Sequence, residues 1–193
     1  MTTTDSQHKY DSDLVAAIVL KDVGAFERIY RLYEKRVYRY ALTFVRDRSA
    51  AEEATLDTMM AVWHGAAGFN GSSRVSTWIL GIARHKALDA VRKNARHANH
   101  TELDEATQVI DTAASPAETF ASHQAGHVTQ RAMAELSSDH QEVLRLVFFE
   151  ELPYEEIAVL LAIPTNTVKT RVYYAKQQLK QRLERMATQG AVS

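Results

Sequence analysis

Cysteine is absent from the 193 residues of this chain, and proline and glycine are scarce, with three and seven copies. Without cysteine there is no disulfide, no thiolate metal ligand and no cysteine nucleophile. Few prolines and glycines leave few breaks in regular structure, which favours long helices. With 46% hydrophobic and 24% charged residues, the composition is that of an ordinary globular protein.

Long apolar runs are also missing. The longest, Leu14–Leu20 and Ile157–Ile163, have seven residues each, whereas a membrane-spanning helix needs about 18. The first residues, Met1–Asp5, form neither a cationic stretch nor an apolar signal core. The sequence therefore predicts no export signal and no membrane insertion. Together with the lack of cysteine, these features predict a cytoplasmic protein.

Apolar residues recur at three- and four-residue steps along most of the chain, which is the period of an amphipathic helix. Strand-like alternation of useful length is absent from the sequence, so we predict an all-α fold. The predicted helices begin near Leu14 and then cover about 23–45, 49–64, 77–97, 116–136, 141–149, 154–161 and 165–186.

Local signals set two boundaries in the first half of the chain. Ser49 and Glu52 form a Ser-Ala-Ala-Glu capping box, which predicts that the third helix starts at Ser49. The stretch 65–76 contains three glycines and three serines and is predicted to be a loop. The helix after this loop is predicted to bury four large side chains, Trp78, Ile82, Leu88 and Val91.

The formal net charge is only −1, but the charges are unevenly distributed. Two basic segments, 74–96 and 165–185, each carry six Lys or Arg and one acidic residue, a net +5. Residues 97–130 contain five acidic residues and no Lys or Arg, and residues 131–164 contain seven acidic and two basic residues. Two basic segments separated by an acidic spacer are the first indication of function.

The stretch 99–115 is acidic, rich in Thr and Ala, and poorly periodic, and it is interpreted as a linker between two helical domains, residues 1–98 and 116–193. Its seventeen residues, if extended, reach about 55 Å and could span about 16 base pairs. A merely flexible acidic spacer would have the same composition.

The segment 154–172 has the pattern of a helix-turn-helix. Its inward-facing apolar positions are Ile157, Ala158, Leu161, Ile163, Val168, Val172, Ala175, Leu179 and Leu183. Pro164 ends the turn, and Thr165 is predicted to cap the second helix. The opposite face carries side chains that suit base edges and phosphates in a major groove: Asn166, Lys169, Thr170, Tyr173 and Lys176. A helical hairpin with a solvated basic face is the alternative, and the basic helix after a tight turn favours DNA binding.

The N-terminal half resembles region 2 of bacterial extracytoplasmic-function (ECF) sigma factors in a series of blocks: Phe26–Tyr33, Val37–Ala41, Arg46–Glu53, Ala61–Trp63, Phe69–Gly71 and Thr77–Lys93. The helix-turn-helix is similar to region 4 of that family, which carries a comparable Ile-Pro and Thr-Val-Lys-Ser/Thr-Arg signature. The resemblance covers roughly residues 10–97 and 116–186, in the family's order and spacing.

The resemblance implies that the third helix docks on the clamp helices of the polymerase β′ subunit, with Glu52, Glu53 and Asp57 meeting basic partner residues. A solvated acidic surface is the alternative for such a run. The sequence departs from the family at Ala50 and Leu56, where Asp and Gln are common.

The resemblance further implies that the 65–76 loop melts promoter DNA and that the following helix reads the −10 element. The residues that would hold a base or the DNA backbone are Asn70, Ser72, Ser73, Arg74, Arg84, Lys86, Arg92 and Lys93. Stacking on an aromatic side chain offers about 1–3 kcal/mol per base. Phe69 and Trp78 are the candidate aromatics, although their place at a loop–helix junction favours an apolar plug.

By the same resemblance, region 4 binds the −35 element and the polymerase β flap. The −35-binding residues that it implies are Thr165, Asn166, Lys169, Thr170, Arg171, Tyr173 and Lys176. The implied partners of the whole chain are core RNA polymerase, promoter DNA and an anti-sigma factor, and no cofactor is implied.

No enzyme is expected from the sequence. His123 and His127 have a metal-compatible i, i+4 spacing, but the Glu of the His-Glu-x-x-His pattern and a fixed third ligand are missing. Surface histidines are the preferred interpretation, and a metalloenzyme is the alternative that they leave. The main alternative to a sigma factor is a dimeric helix-turn-helix regulator that binds duplex DNA without polymerase.

Overall fold

The computed structural model describes residues 3–45, 47–98 and 128–190. All regular structure in these residues is helical, which confirms the predicted all-α class. The helices are α1 (Thr3–Val19), α2 (Val23–Val45), α3 (Arg48–Gly65), α4 (Val75–Ala98), α5 (128–134), α6 (Ser138–Phe148), α7 (Tyr154–Leu161) and α8 (Thr165–Gly190), with a 3-10 turn at Ala66–Gly68. Within these ranges, no helix has the length and apolar character needed to span a bilayer.

The chain divides into two compact units, Met1–Ile110 and Asp111–Ser193, called unit 1 and unit 2 below. The predicted linker, 99–115, and the predicted helix start at Pro116 lie outside the described residues. The division at 98 and 116 into domains 1–98 and 116–193 therefore stays a prediction.

Unit 1 is built around α2, which contacts α1, α3 and α4. The buried positions of α2 recur every three or four residues and form one continuous stripe: Ala25, Ile29, Tyr33, Val37, Tyr40 and Ala41. Full burial of a large apolar side chain contributes about 1.5–3 kcal/mol. This central stripe is what fixes the other three helices in place.

Helix α1 begins eleven residues before the predicted start at Leu14. Its first two turns are polar, so hydrophobic periodicity could not reveal them. A buried carboxylate ties this polar part to α2: Asp11 is 4% exposed and accepts hydrogen bonds from the Tyr33 hydroxyl and from Gln7 Nε2, the latter at 2.8 Å.

The buried face of α4 differs from the predicted one. The side chains that it buries are Val75, Ile79, Leu80, Ala83 and Ala87, whereas Val91 is exposed and the other three predicted residues are half-buried. The reason is close helix packing, because Ala87 joins Ala41, Ala51 and Ala54 in a buried cluster. Ala87 thus allows a close helix contact next to the buried Ile79 and Leu80, while Trp78 and Leu88 lie at the flanks of the buried face.

Helix α3 begins at Arg48, and its cap is Asp47 rather than the predicted Ser49. The Asp47 carboxylate accepts a hydrogen bond from the Ala50 N–H at 2.7 Å. Asp47 therefore satisfies an otherwise unpaired N–H of the first turn. Ser49 and Glu52 consequently lie inside the helix and do not form its capping box.

In unit 2, α6 and α7 both contact α8, which is its longest described helix. These three helices contribute Val143, Leu144, Leu146, Ile157, Ala158, Leu161, Val168, Val172 and Ala175 to the core, which also includes Ala132, Leu136 and Leu152. The turn between α7 and α8 depends on Ala162, whose φ of 54° lies in the left-handed region. Its N–H donates to the Ala158 and Val159 carbonyls and closes α7 in the manner of a glycine cap.

Candidate nucleic-acid interface

Helix α8 presents one polar face to solvent. Its exposed members are Asn166, Lys169, Thr170, Tyr173 and Lys176. They lie opposite the buried residues Val168, Val172 and Ala175, as the sequence pattern predicts. The helix spans 26 residues, or about 39 Å, so this face fits the length and width of a DNA major groove.

Short-range contacts hold several of these side chains in place. The Thr170 hydroxyl donates to the Asn166 carbonyl at 2.9 Å, and Gln177 Nε2 donates to the Tyr173 hydroxyl at 2.7 Å. Lys176 Nζ lies 4.9 Å from the ring centre of Phe148, an exposed residue at the end of α6. Cation–π contact and hydrogen bonds of this kind restrict the rotamers that face the solvent.

The predicted capping role of Thr165 is wrong, because α8 begins at Thr165 itself. The carbonyl of Pro164 accepts the first hydrogen bonds, from Thr167 N at 2.8 Å and Val168 N at 3.1 Å. Thr165 is half-buried in the first turn. The first N–H groups of the helix, those of Thr165 and Asn166, are still placed where a helix N-terminus attracts phosphate.

Arg171 does not lie on the exposed face. Its Nη1 is 3.0 Å from Asp139 Oδ2 on α6, and its side chain is 33% exposed. The structure therefore separates Arg171 from the other residues predicted to bind the −35 element.

The predicted loop of unit 1 is shorter than expected. Residues 66–68 form a 3-10 turn and α4 already begins at Val75, which leaves 69–74 as the loop. Asn70 Oδ1 accepts from the Ser72 N–H at 3.0 Å, and Gly71 takes a φ of 71° that favours glycine. Asn70 and Ser72 are exposed, whereas Ser73 and Arg74 are half-buried.

Phe69 and Trp78 contact each other where the loop meets α4. Their ring centres are 5.2 Å apart and both side chains are half-buried. This packing agrees with the interpretation of the pair as an apolar plug that anchors both ends of the loop.

The basic side chains of α4 lie beside the acidic side chains of α3. Lys93 Nζ is 3.4 Å from Glu53 Oε1, and Lys86 Nζ is 4.0 Å from Asp57 Oδ2. Exposed ion pairs of this kind contribute about 0–1 kcal/mol. Two of the residues predicted to bind DNA, Lys86 and Lys93, therefore lie at the same edge of unit 1 as two residues predicted to bind polymerase, Asp57 and Glu53.

The other predicted residues near this edge differ in exposure. Arg92 Nη1 is 2.7 Å from Asp89 Oδ1 within α4, and Glu52 is exposed on α3. Arg84 is half-buried. Leu56 and Met60 are exposed apolar residues on α3, next to the acidic side chains.

No group of three or more metal-binding side chains occurs in the part of the chain that the structure describes. His123 and His127, the predicted surface histidines, lie outside it.

Two family models match the chain in the order that the sequence resemblance implies. The model of Sigma-70 region 2 matches residues 29–97, and a model of Sigma-70 region 4 matches residues 127–179. Together these matches span more than half of the 193 residues.

Two relatives match this chain over most of its length. The RNA polymerase sigma factor YlaC of Bacillus subtilis is 28% identical over 165 residues, which are 85% of this chain and 95% of that protein. The ECF RNA polymerase sigma factor RpoE of Cereibacter sphaeroides is 27% identical over 84% of this chain and 88% of its own length. The chain belongs to the ECF RNA polymerase sigma factors. A dimeric helix-turn-helix regulator is not favoured, since both sigma regions are matched.

Solved structures show the fold of this ECF sigma factor in other proteins. The sigma factor RpoE of Bartonella quintana, solved with the anti-sigma factor NepR, has a TM-score of 0.63 at 21% identity and covers 82% of this chain and 96% of its own. CnrH, solved with the cytosolic domain of CnrY, has a TM-score of 0.65 at 18% identity and covers 91% of this chain and 97% of its own.

The sequence did not reveal which residues of this sigma factor hold α8 in place. Asp139 and Glu135 are acidic residues in a region that reads as a solvated acidic spacer. In the structure both contact arginines of α8, at 3.0 and 3.6 Å. Opposite charges alone do not identify such pairs, because the residues are more than 30 positions apart in the sequence.

Proposed function

We propose that this ECF sigma factor is a dissociable subunit that directs core RNA polymerase to promoters and carries out no catalysis itself. In this proposal region 2 binds the β′ clamp through α3 and reads and melts the −10 element with the 69–74 loop and α4. Region 4 binds the −35 element through α8 and contacts the β flap. The observation that carries the proposal is the exposed polar face of α8 together with the basic edge of α4.

The charge distribution supports two DNA sites on one chain. Each basic segment, 74–96 and 165–185, has a net charge of +5. Phosphate contacts from Lys and Arg supply sequence-independent affinity, and base contacts in the groove supply specificity. The two kinds of side chain occur together on α8, where Lys169 and Lys176 flank Asn166, Thr170 and Tyr173.

Run-off transcription tests the proposal as a whole. Purified core polymerase is incubated with a library of promoter-containing fragments, with and without this chain. We expect discrete transcripts that appear only when the chain is present. Failure to obtain any specific start site across genomic fragments of the source organism would remove the proposed function.

The polymerase contact is tested by charge reversal on α3. Glu53→Lys combined with Asp57→Lys is expected to lower the affinity for core polymerase at least tenfold, because two carboxylates become two cations at the proposed interface. The matched control is Asp13→Lys with Glu27→Lys, two exposed acidic residues of α1 and α2. Equal affinities of both double variants would contradict the assignment of α3.

An anti-sigma protein is proposed as a further partner. The neighbours of this fold include sigma factors solved in complex with an anti-sigma factor or with a cytosolic domain of another protein. A candidate inhibitor encoded beside this chain should lower run-off transcription in proportion to the amount of chain that it binds. A binder that leaves transcription unchanged would not be an anti-sigma factor for this protein.

A further inference from the structure

Three polar contacts join α8 to residues at the end of α5 and in the first turn of α6. Arg171 Nη1 is 3.0 Å from Asp139 Oδ2. His140 Nδ1 lies 3.3 Å from Gln178 Oε1. Arg182 Nη2 donates to the Glu135 carbonyl at 3.0 Å, and its Nε lies 3.6 Å from the Glu135 carboxylate. The two arginines thus bridge separate helical elements, unlike the i, i+4 pair Lys180–Glu184 further along the same helix.

The three α8 residues occupy one side of the helix. Positions 171, 178 and 182 are spaced by seven and four residues, which places them on a common face. This face borders the buried stripe of Val172 and Ala175. The side chains of Arg171 and Arg182 are 33% and 19% exposed, so both are better shielded from water than an ordinary surface arginine.

These contacts restrict two movements of α8, rotation about its axis and sliding along it, that the apolar stripe alone restricts less. The stripe of Val168, Val172 and Ala175 is apolar, and apolar burial is non-directional, so by itself it specifies the rotation and axial position of α8 less sharply than a directional contact does. DNA reading requires that base-contacting atoms be placed within a fraction of an ångström. Charge-assisted contacts are directional, and one beside the stripe at Arg171 with another beyond its C-terminal end at Arg182 restrict rotation and sliding together.

We propose that Asp139 with Arg171 and Glu135 with Arg182 form a clasp that sets the rotation and axial position of the −35-reading helix. Arg171 is then a positioning residue, and it does not bind DNA. This inference rests on the proposed function of region 4, since it concerns how accurately α8 meets the −35 element.

For one substitution, long-range electrostatics and the positioning role predict opposite changes in DNA affinity. Asp139→Asn removes a negative charge from a DNA-binding unit, and by long-range charge alone this change would strengthen DNA binding. The clasp predicts weaker binding, because Arg171 loses its partner and α8 loses one of its constraints. The sign of the effect therefore separates the two explanations.

The experiment measures promoter-complex formation by the holoenzyme, assembled from core polymerase and the full chain, on a fragment that supports run-off transcription. Asp139→Asn is expected to weaken the complex about three- to tenfold. The matched control, Glu155→Gln, also removes an exposed acidic residue from unit 2, and its complex should be unchanged or slightly tighter. On the same fragment with a scrambled −35 element, Asp139→Asn should have no effect.

A charge swap tests the contact directly. Arg171→Asp alone should weaken the complex, and Arg171→Asp combined with Asp139→Arg should recover most of the loss. In salt titrations Lys169→Gln should lower the slope of log affinity against log salt by about one, and Arg171→Gln should leave it unchanged.

Several results would overturn the clasp. They are a complex of Asp139→Asn as tight as that of Glu155→Gln, no recovery in the swapped double variant, or a lower salt slope for Arg171→Gln. Hydrogen exchange of α6, α7 and α8 shows for each variant that unit 2 is folded, and binding to core polymerase through region 2 shows the same for unit 1. If the wild-type holoenzyme forms no promoter complex at all, the proposed function fails, which is a different outcome.

Discussion

The two units use their ion pairs differently. In unit 1 the pairs between α3 and α4 join side chains that are mostly well exposed, and the helices are held by a buried cluster of alanines beneath them. In unit 2 the pairs that reach α8 involve half-buried arginines at the edge of a stripe of small residues. Charged groups in unit 1 are therefore available to partners at little structural cost, whereas some charged groups in unit 2 are part of the framework.

This difference affects how much of the net charge of each basic segment is available to DNA. The segment 165–185 has six basic residues, but two of them, Arg171 and Arg182, are directed toward acidic residues of the same unit. A net charge of +5 thus overstates the charge that α8 can offer to DNA. In the segment 74–96, Lys86 and Lys93 are paired only at the surface, where a phosphate can compete with the carboxylate.

The largest expected effect comes from the cores, and it tests whether the two units are energetically separate. Leu144→Ala removes a side chain of α6 that is 1% exposed and should lower the stability of unit 2 by about 2–5 kcal/mol. Ile79→Ala should do the same for unit 1. Hydrogen exchange should show each loss confined to its own unit, and loss of protection in both units from one substitution would break the comparison.

A smaller effect is expected at the polar contact that unit 1 does bury. Tyr33→Phe removes the hydroxyl that donates to Asp11 and leaves a buried carboxylate with one partner fewer. The expected loss of stability is about 1–3 kcal/mol. Tyr10→Phe is the control, since Tyr10 is exposed on α1. Denaturant melts that do not distinguish the two variants would show that the hydroxyl adds nothing to unit 1.

The contribution of each ion pair to stability should increase with its burial. Arg182→Met is expected to lower the stability of unit 2 by about 1 kcal/mol, since it removes the hydrogen bond to the Glu135 carbonyl as well as the charge. Lys93→Met should change unit 1 by no more than about 0.5 kcal/mol. The comparison of the two units would be wrong if Lys93→Met were the more damaging change in urea melts.

The smallest expected effect is a gain. Ala162→Gly should stabilise unit 2 by up to about 1 kcal/mol, because glycine adopts the left-handed φ of 54° without the steric cost of a Cβ. Ala16→Gly, in the interior of α1, should lower the stability of unit 1 by about 0.5–1 kcal/mol. Thermal melts that show the same sign for both variants would contradict the role assigned to Ala162.

Much of the helical layout could be predicted from the apolar periodicity and from the positions of turns and prolines. The predicted bounds 23–45 and 154–161 agree with α2 and α7, since each has a strong apolar period and begins next to a turn or a proline. The exposed residues of α8 were predicted for the same reason: they lie opposite a regular stripe.

The errors arose where tertiary contacts decide the outcome. Trp78 was predicted to be a core residue of α4 because it is large. In the structure the close approach of the helices instead buries small residues such as Ala87. The sequence also did not predict that Arg171 contacts Asp139, because this contact depends on how α6 lies against α8. Such contacts join positions far apart in sequence, and one sequence contains no local signal for them.

The central claim is that one chain supplies two promoter contacts only as part of the polymerase. Footprinting tests it most directly, with nuclease protection for duplex and permanganate for unpaired thymines, on one promoter found by run-off transcription. We predict that core polymerase with this chain protects the −35 element and opens the DNA at the −10 element, and that neither component alone does so. Protection of the duplex by the chain without polymerase, or protection with no opening near −10, would contradict the account.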